Sequence, residues 1–139
     1  MLNNPAYMAS GNVGVSLFVG ISGDFKVAQT VLNGKIAGVS QVGTRRFPSS
    51  AASSTDILAA IAGENVGVFG NGASNVFITL GGTVTAGTWL KSDANGAGVA
   101  CTNAGGTPLA SENAGAIALQ GGVAGDKVRI QVLLHPARA

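Results

Sequence analysis

Ile61-Ala62-Gly63-Glu64-Asn65-Val66-Gly67-Val68 returns 62 residues later as Val123-Ala124-Gly125-Asp126-Lys127-Val128-Arg129-Ile130. Apolar answers apolar, Gly answers Gly and acid answers acid. Asn33-Gly34 returns at the same offset as Asn95-Gly96. One offset shared at two separated places implies two copies of a β-hairpin-rich unit, spanning about residues 25–70 and 87–132.

Working outward, Val13, Val15, Leu17 and Val19 alternate with Gly14, Ser16 and Phe18, the period of a half-buried strand. Asn33-Gly34 between Phe25–Leu32 and Lys35–Val42 predicts a hairpin, because Asn-Gly supplies positive φ at both corners of a type I′ turn. Asn71-Gly72 predicts a second hairpin and Asn95-Gly96 a third. Residues 57–60 read either as a short helical turn capped by Ser54 or Thr55, or as a bend into the next strand. In the last strand Val128, Ile130, Val132 and Leu134 point one way, with Arg129 and Gln131 opposite. Short strands with frequent Gly-bearing turns predict an all-β fold, a small barrel or sandwich of two hairpin-rich pseudo-repeats. Residues 1–12 read as an extended N-terminal arm, ahead of a single all-β domain over 13–139.

Composition narrows the function. Of 139 residues 46% are hydrophobic and only 10% charged, against about 25% charged in ordinary soluble domains. The chain carries 22 glycines without a triplet period, which excludes collagen, and its positive mean hydropathy excludes disorder. So much neutral surface calls for cover by other copies or by a partner. A net charge of +2 spread over scattered residues argues against nucleic-acid binding. No apolar run approaches a membrane span of about 20 residues, and no signal peptide is expected. The single Cys101 cannot form an internal disulfide, in keeping with synthesis in a reducing cytoplasm.

The inventory for chemistry is thin. His135 lies near the C-terminus without an evident orienting acid, and Cys101 lacks an activating base. Asp24, Glu64, Asp93 and Asp126 lie in turns, where carboxylates bond local backbone. Neither catalytic nor cofactor-binding residues are assigned, and no metal-ligand spacing occurs. The expectation is a protein that is no enzyme and needs no cofactor. For contacts with other proteins the candidates are Tyr7 on the arm, Arg45, Arg46 and Phe47 in the 43–54 loop, and Trp89. Paired guanidiniums beside an aromatic suit a carboxylate-bearing, partly apolar partner.

Thr85-Ala86-Gly87-Thr88-Trp89-Leu90-Lys91-Ser92-Asp93-Ala94-Asn95-Gly96, then Ala116–Gln120 and Ala124–Val132, resembles the head decoration, or capsid cement, proteins of tailed bacteriophages. Asn33–Gln41 is similar to that family's "Gly, apolar, Gly-Val-Ser" strand. The likeness covers roughly residues 25–134 and leaves out the arm and the 45–54 loop. It implies a β-barrel-like structural protein on the outer surface of an expanded capsid, assembled as a homo-oligomer, often a trimer. The partner it implies is the major capsid protein, with neither nucleic acid nor membrane involved. A non-catalytic β-sandwich binding module for carbohydrate or receptor, as on a phage fibre, is the alternative; its expected cluster of exposed aromatics is poorly matched by one Trp and one Tyr.

Overall fold

The computed structural model describes residues 6–32, 34–40, 58–60, 63, 65–103 and 106–135. Within them run twelve strands and no helix: β1 Ala6–Ala9, β2 Val13–Gly14, β3 Phe18–Gly23, β4 Lys26–Gln29, β5 Gly38–Ser40, β6 Leu58–Ala60, β7 Asn65–Phe69, β8 Ser74–Thr79, β9 Trp89–Ser92, β10 Gly98–Ala100, β11 Ala114–Ala118 and β12 Lys127–His135. The fold is all-β. Strands β1-β4-β3-β5-β7 close a barrel, and β10-β9-β11-β12-β8 form a second sheet.

The second sheet curls until Leu80, just past β8, bridges Gly98 of β10 in parallel. Taken as a ring, its strand order then repeats that of the barrel, with β1, β3, β4, β5 and β7 answered by β8, β9, β10, β11 and β12. The match holds residue by residue. Moving 71 positions on carries the pair Val19–Gln29 to Leu90–Ala100 and Ala9–Val27 to Leu80–Gly98. The offset is 78 at β5 (Val39 to Ile117) and 62 at β7 (Val66 to Val128). Even the β2–β6 pair Val13–Ala60 has its copy in the bridge Val84–Gly122.

Hydrogen bonds and backbone twists follow the same rule. Thr30 N–H donates to Phe18 C=O at 3.0 Å, and Cys101 N–H to Trp89 C=O at 3.0 Å. Gly63 N–H to Ala9 C=O is answered by Gly125 N–H to Leu80 C=O, both 2.8 Å. Positive φ recurs at Ser16 and Gly87, at Phe25 and Gly96, and at Gly63 and Gly125. The sequence offset of 62 therefore belongs to the end of each unit alone, from Ala60 and Gly122 onward. Gly34 is not the structural equivalent of Gly96: the copy of Gly96 is Phe25.

Three local expectations change. The strands flanking Asn33-Gly34 do not pair as a hairpin, because β3 lies between β4 and β5 and takes both as neighbours; Asn33 itself lies outside the described residues. Asn71-Gly72 connects the two sheets instead of pairing β7 with β8; it is tied to β12 by Gly72 N–H to Val132 C=O (2.6 Å) and Leu134 N–H to Asn71 Oδ1 (2.9 Å). The alternating run 13–19 is broken at Ser16 (φ 57°), where the Ser40 hydroxyl donates to Gly14 C=O and accepts from Leu17 N–H. Asn95-Gly96 does sit in a hairpin, between β9 and β10, with Asp93 Oδ1 accepting from Asn95 and Ala97 N–H. Leu58–Ala60 is strand, so the helical option is not taken there.

The arm also differs from expectation. Its Ala6–Ala9 stretch is extended, but as a barrel strand, parallel to β4 and antiparallel to β7. Backbone pairing on both sides absorbs it into the fold.

Two clusters fill the interior. Ala9, Val13, Val19, Val27, Val66 and Val68 pack inside the barrel. Phe18, Ile36 and Val39 leave the barrel wall and join Ile78, Leu90, Ile130 and their neighbours inside the second unit. One wall of the first unit is thus the seam between the two.

Candidate interaction surfaces

The seam shows how these units make contact. Phe18, Val39 and Phe69 stand opposite one another on β3, β5 and β7, facing outward from the barrel. The turn of the second unit meets them: Phe18 N–H donates to Gly96 C=O at 2.8 Å, and Gln29 Nε2 donates to Asn95 C=O at 2.6 Å. Gly115 of β11 gives room for the ring, since a Cβ there would lie 2.9 Å from Phe18 Cε1.

The copies of Phe18, Val39 and Phe69 are Trp89, Ile117 and Gln131, again opposite one another. Leu90, Ala116 and Ala118 beside them are buried, so the Trp89 row faces outward by the two-residue period. Trp89 and Ile117 are half-buried. The indole meets the His135 ring edge-on, centroids 5.5 Å apart. On the same face Arg129 lies 5.6 Å from the Phe77 ring centroid, a cation–π contact across β12 and β8. Trp and Arg are among the side chains that most often carry binding energy in protein interfaces, and Phe is enriched in their cores.

A second apolar surface lies on the first unit. Phe25, at the tip of the β3–β4 hairpin, is 81% exposed and held at φ 55°. Ile21, Val31 and Leu32 are also more than half exposed. A cavity of about 250 Å³ opens among Ile21, Lys35, Ile36 and Ala37 of the described residues.

Of the residues singled out in the sequence, Trp89 is on the outer sheet face. Tyr7 is half-buried on β1 opposite Val66, packed against the barrel core. Arg45, Arg46 and Phe47 lie outside the described residues. The structure does not bring Tyr7 and Trp89 together, for they belong to different units. Phe25, Phe77 and Arg129 escaped sequence reading; the first would have needed the strand register, which alone reveals that it replaces a glycine.

Two of the titratable groups, Glu112 and Cys101, are buried within the second unit. Glu112 is buried and accepts from Lys91 Nζ (2.5 Å), Thr102 Oγ1 (2.5 Å), Thr102 N–H (3.1 Å) and Leu109 N–H (2.8 Å). Burial alone would raise its pKa, but these four donors bring it down to about 2. The cluster ties Thr102, Leu109 and Glu112 to Lys91 of β9. Cys101 is buried, and burial together with the Glu112 charge pushes its thiol up to about 11, against a smaller pull from Lys91. It is a neutral thiol at physiological pH. Among the described residues no three His, Cys, Asp or Glu side chains converge as metal ligands. Nor is any helix there long and apolar enough to cross a membrane.

No protein-family model matches the chain, and neither does any curated protein compared with it. Among solved structures it is similar to the N base of the head fiber gp8.5 of bacteriophage phi29. The TM-score is 0.53 at 17% identity, over 96% of this chain and 94% of that one. The likeness runs almost end to end in both chains, and what the two share is the fold.

Proposed function

We propose that this protein is a structural component of a phage virion, seated on the outer surface of the head. The observation that carries the reading is the fold shared, over nearly the whole of both chains, with the base of a phage head fiber. The composition agrees: few charges, much neutral surface, and exposed apolar and aromatic side chains on both units. In this reading the protein is made in the host cytoplasm, assembles as a homo-oligomer such as a trimer, and binds the major capsid protein as decoration or cement.

The physics of such a role is adhesion by many modest contacts. A stable interface buries about 1,200–2,000 Å², and several footprints on one oligomer raise the effective concentration of each. If the sites on the shell exist only after head expansion, binding stabilises the expanded state through differential affinity. The test is to sediment purified protein with expanded and with unexpanded heads. Co-pelleting with expanded heads alone is the expected result; absence from both pellets removes the reading.

A further inference from the structure

The seam inside one molecule is a docking contact whose two halves both recur on its surface. Its donor half is the outward row Phe18–Val39–Phe69, and the copy of that row is Trp89–Ile117–Gln131, which the described residues cover only in part. Its receiving half is the Gly96 turn and Gly115. The copy of Gly96 is Phe25, and the copy of Gly115, one residue before the paired part of its strand, is Ala37. Both of these lie in the surface where the first unit exposes its apolar side chains, Phe25 at the hairpin tip and Ala37 in the wall of the 250 Å³ cavity.

We infer that a second copy of this chain covers the Trp89 row, receiving Trp89 between its own Phe25 and the cavity at Ala37. The contact repeats between molecules the arrangement that joins the two units within one. What covers a wall of this kind is visible in the fold itself: a five-stranded unit of the same topology. The copy is quasi-equivalent. Phe25 carries a ring where Gly96 has none, and a Cβ at Gly96 would lie only 3.0 Å from Phe18 C=O. Between copies the close backbone approach is therefore replaced by ring against ring, Phe25 on Trp89. This accounts for a bulky, exposed side chain held in the left-handed region, where its copy in the second unit is glycine.

Such a contact is heterologous: donor and receiver are different surfaces, so it propagates from copy to copy into a closed ring or a filament. It does not depend on what the assembly attaches to. The experiment uses two variants, Trp89→Asp without a donor and Phe25→Asp without a receiver, sedimented alone and mixed. Wild type is expected to self-associate, with a blue shift in the emission of Trp89, the single tryptophan. Each variant alone is expected to weaken association by about 30-fold or more, the scale of an interface hot spot. Mixed, they are expected to form one-to-one dimers, because one intact donor then meets one intact receiver. Thermal transitions of the dilute variants establish that they fold. Should Phe25→Asp fail that check, Ile21→Asp, at a 61% exposed position, replaces it. A wild type that is monomeric at its highest soluble concentration, variants that associate like wild type, or a mixture that stays monomeric would each overturn the inference.

Discussion

Phe18 and Trp89 hold one structural position twice. Each faces outward, opposite the fourth strand of its unit, and each has its carbonyl bonded at 3.0 Å by the residue twelve positions on, Thr30 and Cys101. Phe18 is fully buried by the second unit, whereas Trp89 is only partly buried.

The pair predicts opposite responses to truncation. Phe18→Ala should cost about 3–5 kcal/mol of stability, as for a large aromatic removed from a closed core. Trp89→Ala should cost the dilute monomer clearly less, because the half-buried indole gives up less buried area than the fully buried Phe18 ring. Urea unfolding below the association range measures both; equal losses would mean that the two walls are equally buried.

Glu112 predicts a pH effect of known sign. Its folded pKa, about 2, lies below its ordinary value of 4.5. The stabilisation it contributes is thus complete above pH 4.5 and fades as pH falls toward 2. Glu112→Gln should be less stable than wild type at pH 7, by up to about 3 kcal/mol, with the gap closing near pH 2. Chemical denaturation at several pH values gives the curve. A gap independent of pH would remove the carboxylate from the explanation.

Cys101 should resist labelling. A thiol pushed from 9.0 to about 11 loses about 100-fold of its thiolate at pH 8, and burial slows access further. Reaction with an aromatic disulfide reagent should be at least about 100-fold slower in the native protein than in urea. Comparable rates would place the thiol in solvent.

Two glycines separate steric need from conformational need. A Cβ at Gly38 would collide with the Phe69 carbonyl oxygen and Val68 across β5 and β7, so Gly38→Ala should cost about 2–3 kcal/mol or more. Gly125 has open space around it and needs only its φ of 92°, so Gly125→Ala should cost about 1–2 kcal/mol. Thermal denaturation of the two variants tests the ranking.

Phe25→Gly should act in two directions. It relieves a φ of 55° and so leaves the dilute monomer as stable or up to about 1 kcal/mol more stable. The same change removes the ring from the proposed contact between copies and should weaken self-association. Monomer stability that falls by more than 1 kcal/mol would show that the Phe25 ring packs within its own chain.

Much of the architecture was written in the chain. Alternation along 128–134, the Gly-bearing turns and the return of Val66–Val68 as Val128–Ile130 specify β structure and duplication, because side-chain period and turn chemistry are local properties. The true register of the duplication was not legible. The loops between equivalent strands differ in length, so the offset drifts from 71 to 78 to 62, and only paired backbones reveal it. Asn33-Gly34 misled for the same reason: an Asn-Gly turn reverses the chain, but which strand lies beside it is set by distant pairing.

The sequence by itself determined that this is a sparsely charged β protein built from two copies of one unit. Tertiary structure alone decided which wall is fully buried and which is only partly covered. Phe18 and Trp89 are both large aromatics on outward-facing strand positions, and nothing local distinguishes them. Burial is a property of what packs against a residue: the second unit covers Phe18, and among the described residues no further five-stranded unit covers Trp89.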